Sequence, residues 1–110
     1  MATTQDYVEF VCEQVQHTGE VRYRKMFGEY MVYINDKPLL LVCDNTVFVK
    51  PVEAVRELLR DAECVSPYDG AKPYYVLDIE DVFLAEQVIA ILEPITPLPK
   101  PRKKRVKAVD

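Results

Sequence analysis

Only three glycines, one histidine and one serine occur in this 110-residue chain, and each scarcity closes off a class of chemistry. Glycines as far apart as Gly19, Gly28 and Gly70 cannot form a G-x-G-x-x-G turn or a phosphate-cradling loop. The lone histidine, His17, leaves no H-E-x-x-H pair. It falls in the last turn of a helical pattern, where the helix dipole favours a cation. Ser66, the lone serine, sits in a turn-rich stretch with no neighbouring base. The cysteines, Cys12, Cys43 and Cys64, are odd in number, widely spaced and free of any C-x-x-C. Each lies in an apolar pattern, where cysteine behaves as a small hydrophobe. They are expected to be buried free thiols, as suits a reducing cytosol. The residues therefore predict no enzyme, no cofactor and no metal.

Long hydrophobic runs are missing as well. Nothing approaches the roughly 20 apolar residues that a membrane-spanning helix needs. The opening MATTQDYVEF has neither the basic start nor the apolar centre of a signal peptide. A cytoplasmic protein without a membrane partner is the expectation. The length fits one domain, able to bury about two thirds of its unfolded surface without disulfides or metal.

The net charge of −4 is unevenly placed. Residues 93–110 carry six basic and two acidic side chains, whereas residues 1–92 carry eight basic and sixteen acidic ones. An acidic body therefore ends in a basic tail. The expected division is a domain over 1–93 and a flexible Pro/Lys/Arg-rich tail over 94–110. Pro94 is expected to end the last helix, and Pro97, Pro99 and Pro101 favour polyproline II beyond it.

What is present centres on RYRKMFGEYMVYINDKPLLLVCDNTVFVKP, Arg22 to Pro51. Asn35-Asp36-Lys37 and Asp44-Asn45 are turn signals between runs rich in Val, Ile, Leu, Tyr and Phe. Runs this close can pair only as antiparallel strands. Tyr30, Val32 and Ile34 alternate with Met31 and Tyr33, and a bend is expected at Gly28. The later strands are apolar on both faces, so a further helix or another protein surface should cover the outer face.

Helical patterns flank this meander. Thr3 or Thr4 caps a first helix running to about His17, with Val8, Val11, Cys12 and Val15 as its stripe and Gly19 as its stop. Pro51 opens a second helix reaching Asp61, with Val52, Val55, Leu58, Leu59 and Ala62 inward. After the turn-rich 66–73, Tyr74 to Asp78 reads as a strand. Asp78 is expected to cap a third helix, with Val82, Ala85, Val88, Ile89 and Leu92 inward and Phe83, Leu84 and Ile91 packed on a second side. The fold class is α+β, two-layered, with an antiparallel sheet and the order α-β-β-β(-β)-α-β-α.

Two basic clusters are the candidate contact residues. In the tail, Lys100, Arg102, Lys103, Lys104 and Arg105 match phosphate binding through counterion release, or serve only as a solubilising end. On the strand, Arg22, Arg24 and Lys25 beside Tyr23 and Tyr30 match a cation–aromatic surface, or salt bridges to Glu20, Glu29 or helix carboxylates. Together the clusters support direct nucleic-acid binding as the alternative function.

RKMFGEYMVYI (Arg24 to Ile34), the strand ending Cys43-Asp44-Asn45, VFVKP at Val47–Pro51 and YDGAKPYY at Tyr68–Tyr75 resemble the N-terminal domain family of TfoX/Sxy over roughly residues 5–95. The Met26-Phe27-Gly28-x-Tyr30 core combined with the GAKPY loop carries the likeness. The resemblance implies an α+β two-layer fold and a link to bacterial competence. Full-length regulators of the family act as coactivators with the cyclic-AMP receptor protein. They also have a second, helical C-terminal domain, for which 110 residues leave no space. The family supplies no catalytic residues. The expected function is a non-enzymatic interaction module in transcriptional regulation, whose partner is transcription machinery, a transcription factor or a second copy in a homodimer. An enzyme would instead need a deep polar pocket near Tyr68–Tyr75.

Overall fold

The computed structural model of the chain describes residues 3–26 and 29–99. Its first element is helix α1, Gln5–Gln14. The Thr4 hydroxyl accepts from the Tyr7 N–H at 3.2 Å, satisfying one of the donors that every helix start leaves open. The helix ends short of His17, because Val15 leaves helical geometry and Gln16–Thr18 tighten into a 3₁₀ turn. Both the N–H and the hydroxyl of Thr18 donate to the Val15 carbonyl, at 3.0 and 2.7 Å. Gly19 does not supply the left-handed stop that the sequence suggested. Its φ of 155° and ψ of −159° lie in a region open essentially to glycine alone. It also gives way to Asn35, whose amide atoms would sit 2.8 Å from an added Cβ.

Six strands follow in one antiparallel sheet. They are β1 (Val21–Met26), β2 (Glu29–Ile34), β3 (Lys37–Cys43), β4 (Thr46–Val49), β5 (Cys64–Val65) and β6 (Tyr74–Leu77), in the spatial order β1-β2-β3-β4-β6-β5. Asn35 and Asp36 (φ 54° and 67°) turn β2 into β3, and Asp44 and Asn45 (both 53°) turn β3 into β4. These are two-residue turns with both residues left-handed, the hairpin geometry that matches strand twist. Asn and Asp tolerate it better than other residues with a Cβ. One irregularity interrupts the ladder: Val32 faces Leu40 while Tyr33 faces Pro38, leaving Leu39 as a bulge. The bend expected at Gly28 lies outside the described residues.

Alternation sorts the side chains into two faces. Lys25, Tyr30, Val42, Val47 and Leu77 form one cross-strand row. Its last four members are buried with Val32, Ile34, Leu40 and Val49 in a cluster that also holds Val8, Val11 and Val15 of the opening segment. Helix α2, Val82–Ile95, adds Ala85, Val88, Ile89 and Leu92 to it. Both helices therefore cover the same face, giving the expected two-layer α+β architecture with a helix at each end.

Four helical details differ from expectation. Residues 51–61 form only a 3₁₀ turn at Glu53–Val55, followed by further turns. Val55 and Leu59 supply the buried contacts, and one four-residue hydrogen bond joins them (2.9 Å). The cap of α2 is Asp81, which accepts from the Leu84 N–H at 3.1 Å, while Asp78 instead accepts from the Glu80 N–H. Pro94 sits inside the last turn, and the helix closes at Thr96, whose N–H and hydroxyl both donate to the Leu92 carbonyl. Phe83 is 72% exposed, so α2 does not pack on a second side there.

Two polar ties close the fold. Thr3, buried, donates to Glu29 Oε1 at 2.6 Å and accepts from the Asn45 N–H at 3.2 Å. Glu29 Oε1 also accepts from the Asp44 N–H, and Asn45 Oδ1 from the Thr4 N–H, both at 3.1 Å. At the opposite end Lys37 Nζ donates to the Glu93 carbonyl at 2.7 Å and lies 3.2 Å from its carboxylate.

Gly19→Ala should destabilise the chain by about 1–3 kcal/mol, because Asn35 is held by the Glu20 N–H at 2.9 Å and cannot swing aside freely. Asp36→Val should cost about 1–2 kcal/mol through its left-handed backbone, whereas Asp36→Gly should not lower stability. Urea midpoints of the three variants against the parent check both statements.

Candidate interaction surface

The outer face of the sheet carries the second cross-strand row: Arg24, Met31, Leu41, Phe48 and Val76, one residue from each of five strands. None of them belongs to the core cluster under the helices. Phe48 and Cys43 are nevertheless buried, so the expectation that this face is apolar holds. No helix among the described residues lies over it. The loop between β5 and β6 reaches part of it, where Tyr68 and Tyr74 line one cavity.

Beneath that loop is a cavity of about 650 Å³ lined by Met26, Glu29, Met31, Leu41, Cys43, Tyr68 and Tyr74. Its lining is apolar and sulfur-rich, a composition that adapts to varied partners. Glu29 is its one ionisable carboxylate, and that group is engaged by Thr3 and Asp44. Tyr68 is 60% exposed, which leaves its ring free to contact another surface. From the residues alone the 66–73 stretch read as turns. The contribution of Tyr68 and Met26 could not be read without knowing that β6 inserts beside β4.

The strand cations do not converge. Arg22 and Arg24 project on the outer face and Lys25 on the helix face, by strand alternation. Arg22 is committed to Asp36 at 3.1 Å, a partner outside the expected carboxylates, and stacks 4.9 Å from the Tyr33 ring centroid. Arg24 and Lys25 are exposed, with no ion-pair partner among the described residues. Tyr23 packs edge-on against Tyr30 at 5.5 Å and donates to Glu9 at 3.2 Å. The tail residues Lys100, Arg102, Lys103, Lys104 and Arg105 lie outside the described residues.

The thiols divide more sharply than expected. Cys43 is buried, Cys12 is half-buried and Cys64 is exposed at the short edge strand β5. A two-residue edge strand has too few neighbours to cover it. Burial, then Glu29 and Asp44, pushes the Cys43 pKa up to about 11. Burial, then Glu9, does the same for Cys12, also to about 11. Among the described residues, no group of three His, Cys, Asp or Glu side chains is placed to hold a metal ion. Nor is any helix there long and apolar enough to cross a membrane.

A family model described as TfoX N-terminal domain matches residues 13–89. A protein of Spirochaeta aurantia, described as an uncharacterized 12.7 kDa protein in the trpE 5′ region, is 38% identical over 109 residues, covering 97% of this chain and 95% of the relative.

Alkylation at pH 8 should label Cys64 first, with Cys43 and Cys12 slower by at least about tenfold, because their thiolate fraction is small. The stability these two thiols contribute is fully present below pH 9, their unperturbed value, and is lost as pH rises toward about 11, where the folded forms ionise. Mass mapping after timed alkylation, and denaturation midpoints at pH 8 and 10, check the two outcomes.

Proposed function

The chain belongs to the TfoX N-terminal domain family, and on that footing we propose that it is a non-enzymatic interaction module of the bacterial cytoplasm. It acts in transcriptional regulation linked to competence, through contacts with a protein partner, and it pairs with a second copy of itself across the outer sheet face. The observation that carries this reading is the apolar row Met31, Leu41, Phe48 and Val76, with both helices on the other side of the sheet. Met31, Leu41 and Val76 are half-buried and Phe48 is buried, while Tyr68 and Val65 beside them are exposed, and apolar side chains gathered on an uncovered face mark an interaction site.

Size sets the strength of the pairing. Six strands about 4.8 Å apart and at most roughly 20 Å long, with Phe48 and Cys43 already covered, offer less than about 500 Å² per copy, below the ~800 Å² of a standard stable interface. A reversible dimer in the micromolar range is the consistent outcome. Such weakness suits a module that exchanges its own copy for a regulatory partner.

Light scattering of the intact chain from about 1 to 500 μM should show a concentration-dependent rise in mass from monomer toward dimer. Leu41→Glu and Met31→Glu should hold it at monomer mass while circular dichroism stays unchanged. Strictly monomeric behaviour of the parent at every concentration would overturn the homodimer.

A further inference from the structure

We propose that the free edge of β1 takes up an extended acidic segment of a protein partner as a seventh strand, with two adjacent carboxylate residues set against Arg24 and Lys25. The proposal rests on the reading of the chain as an interaction module and supplies the chemistry of the partner.

The two edges of the sheet are unlike. β5 is two residues long, too short to template another strand, whereas β1 pairs along all six of its residues with β2 in unbroken register. No strand among the described residues lies on its other side. The hydrogen-bonding phase is fixed by the Glu20 carbonyl, which accepts from the Asn35 N–H at 2.8 Å. Antiparallel partners exchange hydrogen bonds at alternate residues. Arg22, Arg24 and Met26 therefore turn their main-chain groups toward β2. Val21, Tyr23 and Lys25 turn theirs to the open side, and none of these meets another main-chain group among the described residues.

Edges of this length are ordinarily blunted by proline, a bulge or charge. β1 has no proline, and the bulge of the sheet lies in β3. Charge alone remains, and it selects as well as excludes. Three of the eight basic residues of segment 1–92 stand in the four positions 22–25. A second copy of β1 would bring these cations against their own kind, and the basic residues of the tail are repelled equally. An acidic strand is attracted.

Pairing within the chain then narrows the site to two cations. Arg22 is held by Asp36, and Lys37, Arg56 and Arg60 are likewise ion-paired. Lys50 and Lys72 have no ion-pair partner among the described residues but lie off β1, and Arg24 and Lys25 are likewise without one there. Being consecutive in a strand, they point to opposite faces, so the partner residues opposite them are also consecutive. Nucleic-acid phosphates, all on one strand, have no such two-faced geometry and no main-chain donors to complete the ladder. Main-chain bonding supplies affinity in strand addition, and the side chains supply selection.

The test is a titration of the intact ¹⁵N-labelled chain with capped eight-residue β-forming peptides. One carries two central glutamates, a second two lysines, and a third the glutamates with N-methylation of the amides that would face β1. The acidic peptide should shift the Val21, Tyr23 and Lys25 amides saturably and slow their hydrogen exchange. The lysine and N-methylated peptides should bind at least about tenfold more weakly. The R24E/K25E double variant should reverse the preference between glutamate and lysine.

Equal binding of the N-methylated peptide would reduce the contact to charge and overturn strand addition. Equal response to the lysine peptide, or none to any peptide at millimolar concentration, would overturn the site. Stronger shifts of the same amides by a single-stranded oligonucleotide would give the edge to nucleic acid instead. Self-association across the outer face is read separately by scattering, so either result can fail while the other stands.

Discussion

Two pairs of residues held in the left-handed conformation, Asn35-Asp36 and Asp44-Asn45, set the register on which the rest of this molecule depends. A two-residue turn allows no slack, and a slip of one residue would exchange every inward side chain for an outward one. With the register held, Tyr30, Val42, Val47 and Leu77 align beneath the helices while Met31, Leu41, Phe48 and Val76 align on the far side. The buried core and the apolar outer surface are two results of one constraint. Neither turn contains glycine, so some backbone cost is borne to keep side chains there. Asn35 bonds to the Glu20 N–H, Asp36 to Arg22, and Asn45 to the Thr4 N–H.

The parts of the fold that were legible in the sequence are those whose information is local. The turn pairs, the alternation of β2 and the stripes of both helices depend on residues a few positions apart. The segment after Pro51 shows the limit. Val55 and Leu59 have helical spacing and are buried as expected, yet spacing does not distinguish a continuous helix from successive 3₁₀ turns, which place the same two residues inward. Asp78 was the expected cap, yet the path of the chain out of β6 places Asp81 at the start of α2. Cys64 looked like core because its neighbours are apolar. It is exposed because its strand is two residues long and lies at an edge.

Non-local features were beyond reach for a different reason. The insertion of β6 between β4 and β5 joins residues separated by a long connection, and nothing in the composition of either strand records the pairing. The outer-face cavity follows from that insertion, since Tyr74 and Tyr68 reach Met31 and Leu41 only once β6 lies beside β4. The basic cluster at 22–25 was visible as charge. Its division between two faces, and the capture of Arg22 by Asp36, required the register. The resemblance to the TfoX N-terminal domain added family membership, which composition could not have provided.

The tie at the start of the chain bears on how the protein is made. Thr3 is locked to Glu29 and to the main chain at Asn45, so this segment meets its partners only after some forty further residues have emerged. The opening helix, too short to persist alone, must stay unsettled until two hairpins have been synthesised. Vectorial synthesis therefore lays down the two hairpins before the segment ahead of them can seat, and β6 and α2 close over the assembly afterwards.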